Sequence, residues 1–491
     1  MNNSSNKKIL SGIGWAYGER ILAQVISLIV SVILARVLDP NHYGVIGIVY
    51  VFINILDALV IGGFGNALIQ KKDADDLDFN TICCFSVSVA IILYVVLYFS
   101  SPIIAVFYDM EQLTWVTRVM GIRVIISSFN SVQHAYVQRR MEFKRFFFST
   151  LGGTIISAVV GVYMAYNGYG VWALVAQYMI NSVIDTIVLR FTIKWKPKFE
   201  FSIVRLKGMM SFGVKMLFAT LINTIQDNIR SLVVGKVFTK EDLAFYNQGK
   251  KYPATLMNNL VGSVQKVLFP AFSELQDDRN VIKAKMRSAI RMSSFILVPA
   301  IAGIIGISNS FVLAVLTEKW APVIPYLQIL SLIYLTRTMN SIFQSSLLAV
   351  GKSGANMIHE VVSSSLSVVF ICVGAFVLKS VLFIAWSSVI VMIVGTIIFM
   401  YFISKSYKYK PREVMRDFFP YLAISSLMGI LVYIIGYILI NKLLLLFIQI
   451  IVGAVIYVAL SKVFRIEELD ICFGLIKRFT NKLTSKRKTQ E

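Results

Sequence analysis

The chain has 491 residues, of which 57% are hydrophobic and 15% are charged, and its 48 Lys and Arg against 26 Asp and Glu give a net charge of +22. Soluble domains hold about 45–50% apolar and about 25% charged residues, so a soluble protein of this size is excluded. Apolar stretches long enough to cross the roughly 30 Å hydrocarbon core of a bilayer recur along almost the whole chain. The composition therefore predicts an all-α polytopic membrane protein.

Hydropathy windows of about 19 residues predict about fourteen transmembrane helices. They centre on residues 12–37, 44–69, 80–106, 113–137, 146–166, 171–189, 208–235, 243–273, 292–316, 322–350, 356–378, 380–404, 418–440 and 443–461. The first apolar run is too long for a signal peptide and carries Glu19 and Arg20, so we expect it to be retained as a helix.

Basic residues are distributed unevenly between alternate loops. With the N-terminus inside, the outer loops hold few of the 48 Lys and Arg, namely Arg36, Lys236, Lys240, Lys319, Lys379 and Lys442. The positive-inside rule predicts this asymmetry, and a basic tail on the same side as the N-terminus requires an even number of spans. Most of the net charge is therefore expected to meet anionic phospholipids. Nucleic-acid binding is not expected, since no soluble basic face is present.

The residue types exclude several kinds of chemistry. The histidines, His42, His134 and His359, lie far apart in the sequence, and the four cysteines form no CxxC, which favours reduced thiols over a disulfide framework. There is no GxxxxGK[ST] phosphate loop and no HExxH motif. We therefore expect neither an enzyme nor a bound metal or cofactor. Without an ATP-binding motif, any transport would be driven by a coupling H⁺ or Na⁺ gradient, by the membrane potential or by removal of the product outside.

Short segments repeat along the chain. Residues 36–38 (RVL) echo 236–238 (KVF), and residues 130–132 (NSV) echo 340–342 (NSI). These echoes predict two six-helix bundles of like orientation, related by a pseudo-two-fold axis along the membrane normal, a geometry that suits alternating access. A duplicated scaffold without transport is the alternative. The predicted domains are an N-terminal bundle over 1–200, a C-terminal bundle over 201–410, two additional helices over 411–465 and a basic cytoplasmic tail over 466–491.

Charged residues inside the predicted spans are costly, since a charge at the helix centre costs about 2.5–3.5 kcal/mol on insertion scales. The basic candidates for a substrate-binding cavity are Arg20, Arg123, Lys215, Arg230, Lys250, Lys251 and Arg337. The acidic candidates for ion coupling or charge balance are Glu19, Asp57 and Asp227. If these residues share one cavity, its surplus of cations would attract an anion such as phosphate or pyrophosphate.

Other polar residues in the spans have plainer explanations. Near the predicted span ends, where snorkelling to the interface is expected, lie Arg118, Asp185, Lys266 and Glu360. Asp227 and Arg230 are spaced i,i+3 and could pair along one helix. Amides such as Asn130 and Asn340 fit interhelical hydrogen bonds as well as glycan contacts.

Several segments, taken in order, resemble the motifs of oligosaccharide flippases. They are 34–44 (LARVLDPNHYG), 66–72 (NALIQKK), 138–145 (QRRMEFKR), 168–175 (GYGVWALV), 245–249 (FYNQG), 267–272 (VLFPAF) and 318–322 (EKWAP). The resemblance covers about residues 8–355. It is to the polysaccharide transporter family, of the O-antigen, colanic-acid and teichuronic-acid type, within the multidrug/oligosaccharidyl-lipid/polysaccharide exporter superfamily.

The resemblance implies a V-shaped pair of six-helix bundles that flips an undecaprenyl-pyrophosphate-linked oligosaccharide across the bacterial cytoplasmic membrane, with both termini cytoplasmic. The first, second, seventh and eighth helices are expected to line the cavity. A polysaccharide polymerase and glycosyltransferases are implied partners. The alternatives are a lipid II flippase, a drug/cation antiporter, which would favour acids over bases in its cavity, and a membrane glycosyltransferase or polymerase, which would usually carry a large outer loop.

Overall fold

The structure is a computed structural model of the chain. It describes residues 18, 22–71, 73–140, 142, 144–275, 278–438 and 441–474, which form helices joined by short connections and contain no strand. The described residues divide into two compact units, one ending at Ala244 and the other beginning at Phe245.

The first unit consists of eight helices and the start of a ninth. They are α1 (Leu22–Val37), α2 (Pro40–Ile61), α3 (Phe64–Gln70), α4 (Asp76–Tyr108), α5 (Leu113–Arg140), α6 (Lys144–Tyr166), α7 (Val171–Thr192), α8 (Ile203–Val237) and the first residues of α9 (Lys240–Ser273). The second unit continues through α9. Its further helices are α10 (Arg279–Phe311), α11 (Val323–Ala349), α12 (Ser353–Cys372), α13 (Val381–Tyr407), α14 (Pro411–Ile435) and α15 (Lys442–Val463).

The described helices overlap the predicted spans with different bounds, and the second span is divided into α2 and α3 at Gly62 and Gly63. Among the described residues, ten helical segments are long and apolar enough to cross a membrane. Large apolar side chains such as Phe99, Ile103 and Val106 on α4 are exposed, as expected where helices face hydrocarbon. The chain is a multi-pass membrane protein. The count of fourteen spans, the paired bundles and the predicted domain limits stay predictions.

Residues at the helix starts explain where several helices begin. Pro40 occupies the first turn of α2, where its fixed φ and missing N–H are tolerated. At the start of α4 the Asp75 carboxylate accepts a hydrogen bond from the Asp78 backbone N–H at 3.0 Å, and the Asp75 N–H donates to the Asp78 carboxylate at 3.1 Å. The hydrogen bond from the Asp78 N–H keeps the pKa of Asp75 below its usual value.

The core of the first unit includes aromatic residues near one end of α4. The ring of Phe79 packs against Tyr136 and Trp195 at centroid distances of 5.4 and 5.9 Å. The Trp195 indole N–H donates to Asn80 at 3.1 Å, and the Asn80 amide donates to Glu200 at 3.0 Å. These contacts attach the connection between α7 and α8 to the start of α4.

In the second unit a row of ion pairs attaches α10 to α14 and to the segment after α15. Lys283, Arg287 and Arg291 lie one turn apart on α10. Their partners are Glu413 (2.9 Å), Asp417 (2.7 Å) and Glu468 (3.4 Å), respectively. Helix α14 and the segment after α15 are therefore joined to α10 by charged as well as apolar contacts.

Candidate functional site

Two adjoining polar cavities lie in the first unit. The first, which we call the Asp57 cavity, has a volume of about 340 Å³. Its polar lining residues are Asn54 and Asp57 on α2 and Thr220, Thr224, Asp227 and Asn228 on α8. The second, the His134 cavity, has a volume of about 380 Å³. Its polar lining residues are Asn66, Ser127, Asn130, Ser131, His134, Gln138 and Thr220.

The helical repeat places these polar residues together. Ser127, Asn130 and His134 are spaced three and four residues apart on α5, so they lie on one face. Thr220 on α8 belongs to both cavities, and its hydroxyl donates to the Gly62 carbonyl at 3.2 Å, at the junction of α2 and α3. The interrupted helix α2–α3, together with α5 and α8, thus forms the walls of the two cavities.

An acid–base pair lies beside the Asp57 cavity. The Arg123 guanidinium is 3.4 Å from the Asp57 carboxylate, which also accepts a hydrogen bond from the Ser127 hydroxyl at 2.6 Å. The guanidinium donates from Nε to the Ser182 hydroxyl at 3.0 Å. Arg123 and Asp57 therefore balance each other's charge within the first unit.

A second acid–base pair lies beside the His134 cavity. His134 Nε2 is 2.9 Å from Asp185 Oδ2, and the Asn130 amide donates to the same oxygen at 2.6 Å. Asp185 is 9% exposed. The expectation that Asp185 snorkels to the interface was wrong: α7 extends beyond the predicted span end, and the carboxylate is bound inside the unit. Asp185 is 51 residues from His134 in the sequence, and helical spacing cannot predict a contact between residues so far apart.

The described cavities bring together only some of the predicted site residues. Asp57 and Asp227 line one cavity, and Arg123 contacts Asp57. On α8, Lys215 is exposed and Arg230 is half-buried. Glu19 and Arg20 lie outside the described residues.

The remaining candidates belong to the second unit. Lys250 is half-buried and Lys251 exposed on α9. The Arg337 guanidinium on α11 lies 5.5 Å from the centre of the Tyr334 ring. A chamber shared by the cations stays a prediction. The charged side chains in the described lining of the two cavities of the first unit are the carboxylates of Asp57 and Asp227. The described lining of these two cavities contains no Lys or Arg.

Solved structures with a similar fold are known. The fold is similar to that of the lipid II flippase MurJ in an inward closed conformation, with a TM-score of 0.71 and 16% identity over 91% of this chain and 98% of that one. An inward-facing multidrug resistance MATE family transporter is also similar, with a TM-score of 0.60 and 16% identity over 78% of this chain and 96% of that one. The fold is thus one found among multi-pass transporters.

The sequence specifies the family. A family model described as polysaccharide biosynthesis protein matches residues 33–325, and the chain belongs to this family. It is 25% identical to the teichuronic acid biosynthesis protein TuaB of Bacillus subtilis (strain 168), over 71% of this chain and 73% of that protein. It is 23% identical to the lipopolysaccharide biosynthesis protein WzxC of Escherichia coli (strain K12), over 76% of each chain. The resemblance inferred from the sequence motifs is confirmed.

Proposed function

We propose that this protein is a flippase that moves a lipid-linked oligosaccharide repeat unit across a bacterial cytoplasmic membrane for cell-surface polysaccharide synthesis. The family match over residues 33–325 carries the proposal. Relatives named for teichuronic acid, lipopolysaccharide and succinoglycan synthesis support it, the last being called a transport protein. On this proposal the protein is a transporter and not an enzyme.

The polar cavities of the first unit suit the glycan part of such a substrate. Asn54, Asn66, Ser131, Gln138 and Asn228 bring amides and hydroxyls to cavities inside a membrane protein. These groups both donate and accept hydrogen bonds, as sugar hydroxyls require. The polyprenyl chain would stay in the lipid, where the exposed apolar helix faces need no polar partner.

The pyrophosphate part of the substrate requires cations. We assign this role to Arg20, Arg123, Lys215, Arg230, Lys250, Lys251 and Arg337. Fixed Lys and Arg side chains bind phosphate oxygens by charge-assisted hydrogen bonds. Glu19, Asp57 and Asp227 would either balance these positive charges or bind a coupling H⁺ or Na⁺. Asp57 balances the charge of Arg123 in this way in the structure.

The proposal also includes a topology in the membrane. We propose fourteen spans in two six-helix bundles and a terminal pair of helices, with both termini cytoplasmic. The distribution of basic residues between the loops supports this orientation. A polymerase outside and glycosyltransferases inside would consume and supply the substrate.

Export of glycan by a strain that lacks its own copy of the gene tests the function. The wild-type gene should restore surface polysaccharide and remove the lipid-linked intermediate that accumulates inside. Lys250→Ala should abolish export at unchanged protein level, and the exposed Lys285 on α10 gives the control Lys285→Ala, which should export normally. Full export by Lys250→Ala would remove Lys250 from the proposed site.

Three rival functions predict other outcomes. Rescue of a strain depleted of its lipid II flippase, without restored polysaccharide, would favour a lipid II flippase, whose fold this chain shares. The acidic lining of the Asp57 cavity is the feature expected of a drug/cation antiporter. Export of a cationic dye that competes with neither glycan nor lipid would favour that rival. Incorporation of labelled sugar by the purified protein would indicate an enzyme.

A further inference from the structure

The His134–Asp185 pair has one member in contact with a cavity and one buried. The His134 side chain is 35% exposed and lines the His134 cavity, whereas the Asp185 side chain is 13% exposed and accepts hydrogen bonds from His134 and Asn130. The Phe146 ring lies against the imidazole at a centroid distance of 4.6 Å. A proton can therefore reach the imidazole from the cavity, while the carboxylate that would stabilise it stays within the protein.

Histidine is the side chain whose charge changes most readily between pH 5 and 8. The neutral ring donates from Nε2 to Asp185 and leaves Nδ1 as the acceptor, so an added proton binds at Nδ1 and leaves the Asp185 contact in place. The net charge of the His134–Asp185 pair is −1 when the ring is neutral and zero when the ring has bound this proton. A neighbouring carboxylate favours the protonated ring.

Other charged groups lie on the helices near the pair, and the two acids Asp57 and Asp78 among them have partners of their own. On the helices around it they are Asp57 on α2, Asp76 and Asp78 on α4, Lys144 and Arg145 on α6, and Arg190 on α7. Helix α5 itself carries Arg118, Arg123, Arg139 and Arg140. Asp57 is paired with Arg123 and Asp78 with Lys71, at 3.4 and 2.5 Å. Asp185 is thus the acid in direct contact with His134.

The positions that correspond to His134 and Asp185 in the second half carry different residues. At the sequence offset that relates Asn130 to Asn340, the positions of His134 and Asp185 are taken by Gln344 and Gly395. The Gln344 amide donates to Asn356 at 2.7 Å. The second unit has a different His–acid contact, within one helix, where His359 Nδ1 lies 3.7 Å from the Glu360 carboxylate.

We propose that the His134–Asp185 pair binds the coupling proton of this transporter. This inference rests on the proposed flippase function and adds the ion and its site. His134 lies on the same face of α5 as Ser127 and Asn130. The Ser127 hydroxyl donates a hydrogen bond to Asp57, and the Asn130 amide donates to Asp185. His134 lines one of two adjoining cavities and Asp57 the other, so proton binding at His134 changes the electrostatic field at both. This gives the proton gradient a means of acting on the substrate-binding residues.

The first test detects the proton without any substrate. The sequence has three histidines, so ¹⁵N-histidine NMR of the purified protein should give three sets of ring signals, and His134→Gln identifies that of His134. On this proposal a proton binds at Nδ1 of His134 and changes its ring signals when the pH is varied over the range in which histidine side chains change charge. Asp185→Asn removes the carboxylate that stabilises the charged ring, so it should alter this response. Ring signals of His134 that do not respond to pH, or a response that Asp185→Asn leaves unchanged, overturn the proposal.

The second test measures coupling in proteoliposomes that contain the lipid-linked oligosaccharide. Wild-type flipping should change severalfold between about pH 5 and 8 and respond to an imposed pH gradient. His134→Gln should remove both dependences, while the control His359→Gln, in the second unit, should keep them. If the wild type flips and His134→Gln retains its pH dependence, the pair is not the coupling site. If the wild type does not flip the substrate at all, the proposed function fails, and the NMR titration still decides whether the pair binds a proton. Should His134→Gln fail to fold, Asp185→Asn serves in both tests.

Discussion

Asp417 in the second unit shows how a single buried charge is accommodated. It is 5% exposed, and its carboxylate accepts two hydrogen bonds from the Arg287 guanidinium, at 2.7 and 2.9 Å, and one from the Tyr409 hydroxyl at 2.6 Å. A buried carboxylate is tolerated when both its charge and its oxygens are satisfied. The pair therefore adds specificity to the contact between α10 and α14.

Arg287→Ala should destabilise the protein because it leaves the Asp417 charge buried with only the Tyr409 hydroxyl. We expect a loss of about 1.5–3 kcal/mol, as for hydrogen bonds to charged groups. The loss should be below that of a fully buried pair, since the Arg287 side chain is 38% exposed. Thermal unfolding in detergent would measure it. Lys285→Ala, on the same helix but exposed, is the control and should change little.

The double variant Arg287→Ala/Asp417→Asn separates charge from packing. It removes the buried charge while the Asn carbonyl can still accept from Tyr409, so it should recover most of the lost stability. If the double variant is no more stable than Arg287→Ala, the apolar stem of Arg287 rather than its charge supports the contact.

At the scale of the element, α8 approaches the α2–α3 junction at a glycine. A Cβ added at Gly213 would lie 2.8 Å from two ring atoms of Phe64, the first residue of α3. A Cβ at Gly63 would overlap the carbonyl oxygen of Gly213. Because both cavities include residues of α2 or α3 and of α8, this close contact sets their width.

Gly213→Ala should lower the apparent melting temperature by several degrees and reduce glycan export, because overpacking costs about 1–3 kcal/mol. Gly208→Ala is a matched control on the same helix, since a Cβ there meets nothing within 4 Å. It should be neutral or stabilising, as Ala is a better helix former than Gly by up to about 1 kcal/mol. Equal effects of the two substitutions would show that helix propensity and not the contact with Phe64 matters.

At the scale of the whole molecule, the distribution of basic residues predicts the orientation in the membrane. Lys198 lies in the connection between α7 and α8, and Lys442 begins α15. With both termini inside, Lys198 faces the cytoplasm and Lys442 the outer surface. The direction of the helices across the membrane stays a prediction.

Labelling of single cysteines in intact cells measures this orientation. In a background without Cys83, Cys84, Cys372 and Cys472, a membrane-impermeant maleimide should label Lys442→Cys readily. It should label Lys198→Cys only after the cells are permeabilised. The reverse pattern would invert the topology, and labelling of both positions in intact cells would contradict an odd number of spans between them.

An all-helical, multi-pass membrane protein of a polysaccharide family could be predicted from the sequence, because apolar length and ordered motifs are local properties of the chain. The sequence also indicated Asp57 and Arg123 as costly charges, but not as each other's partners. The pairing of Asp57 with Arg123 and of His134 with Asp185 became visible in the folded structure. Such contacts join helices far apart in sequence, and helical periodicity indicates which face a side chain occupies without indicating which other helix will lie against it.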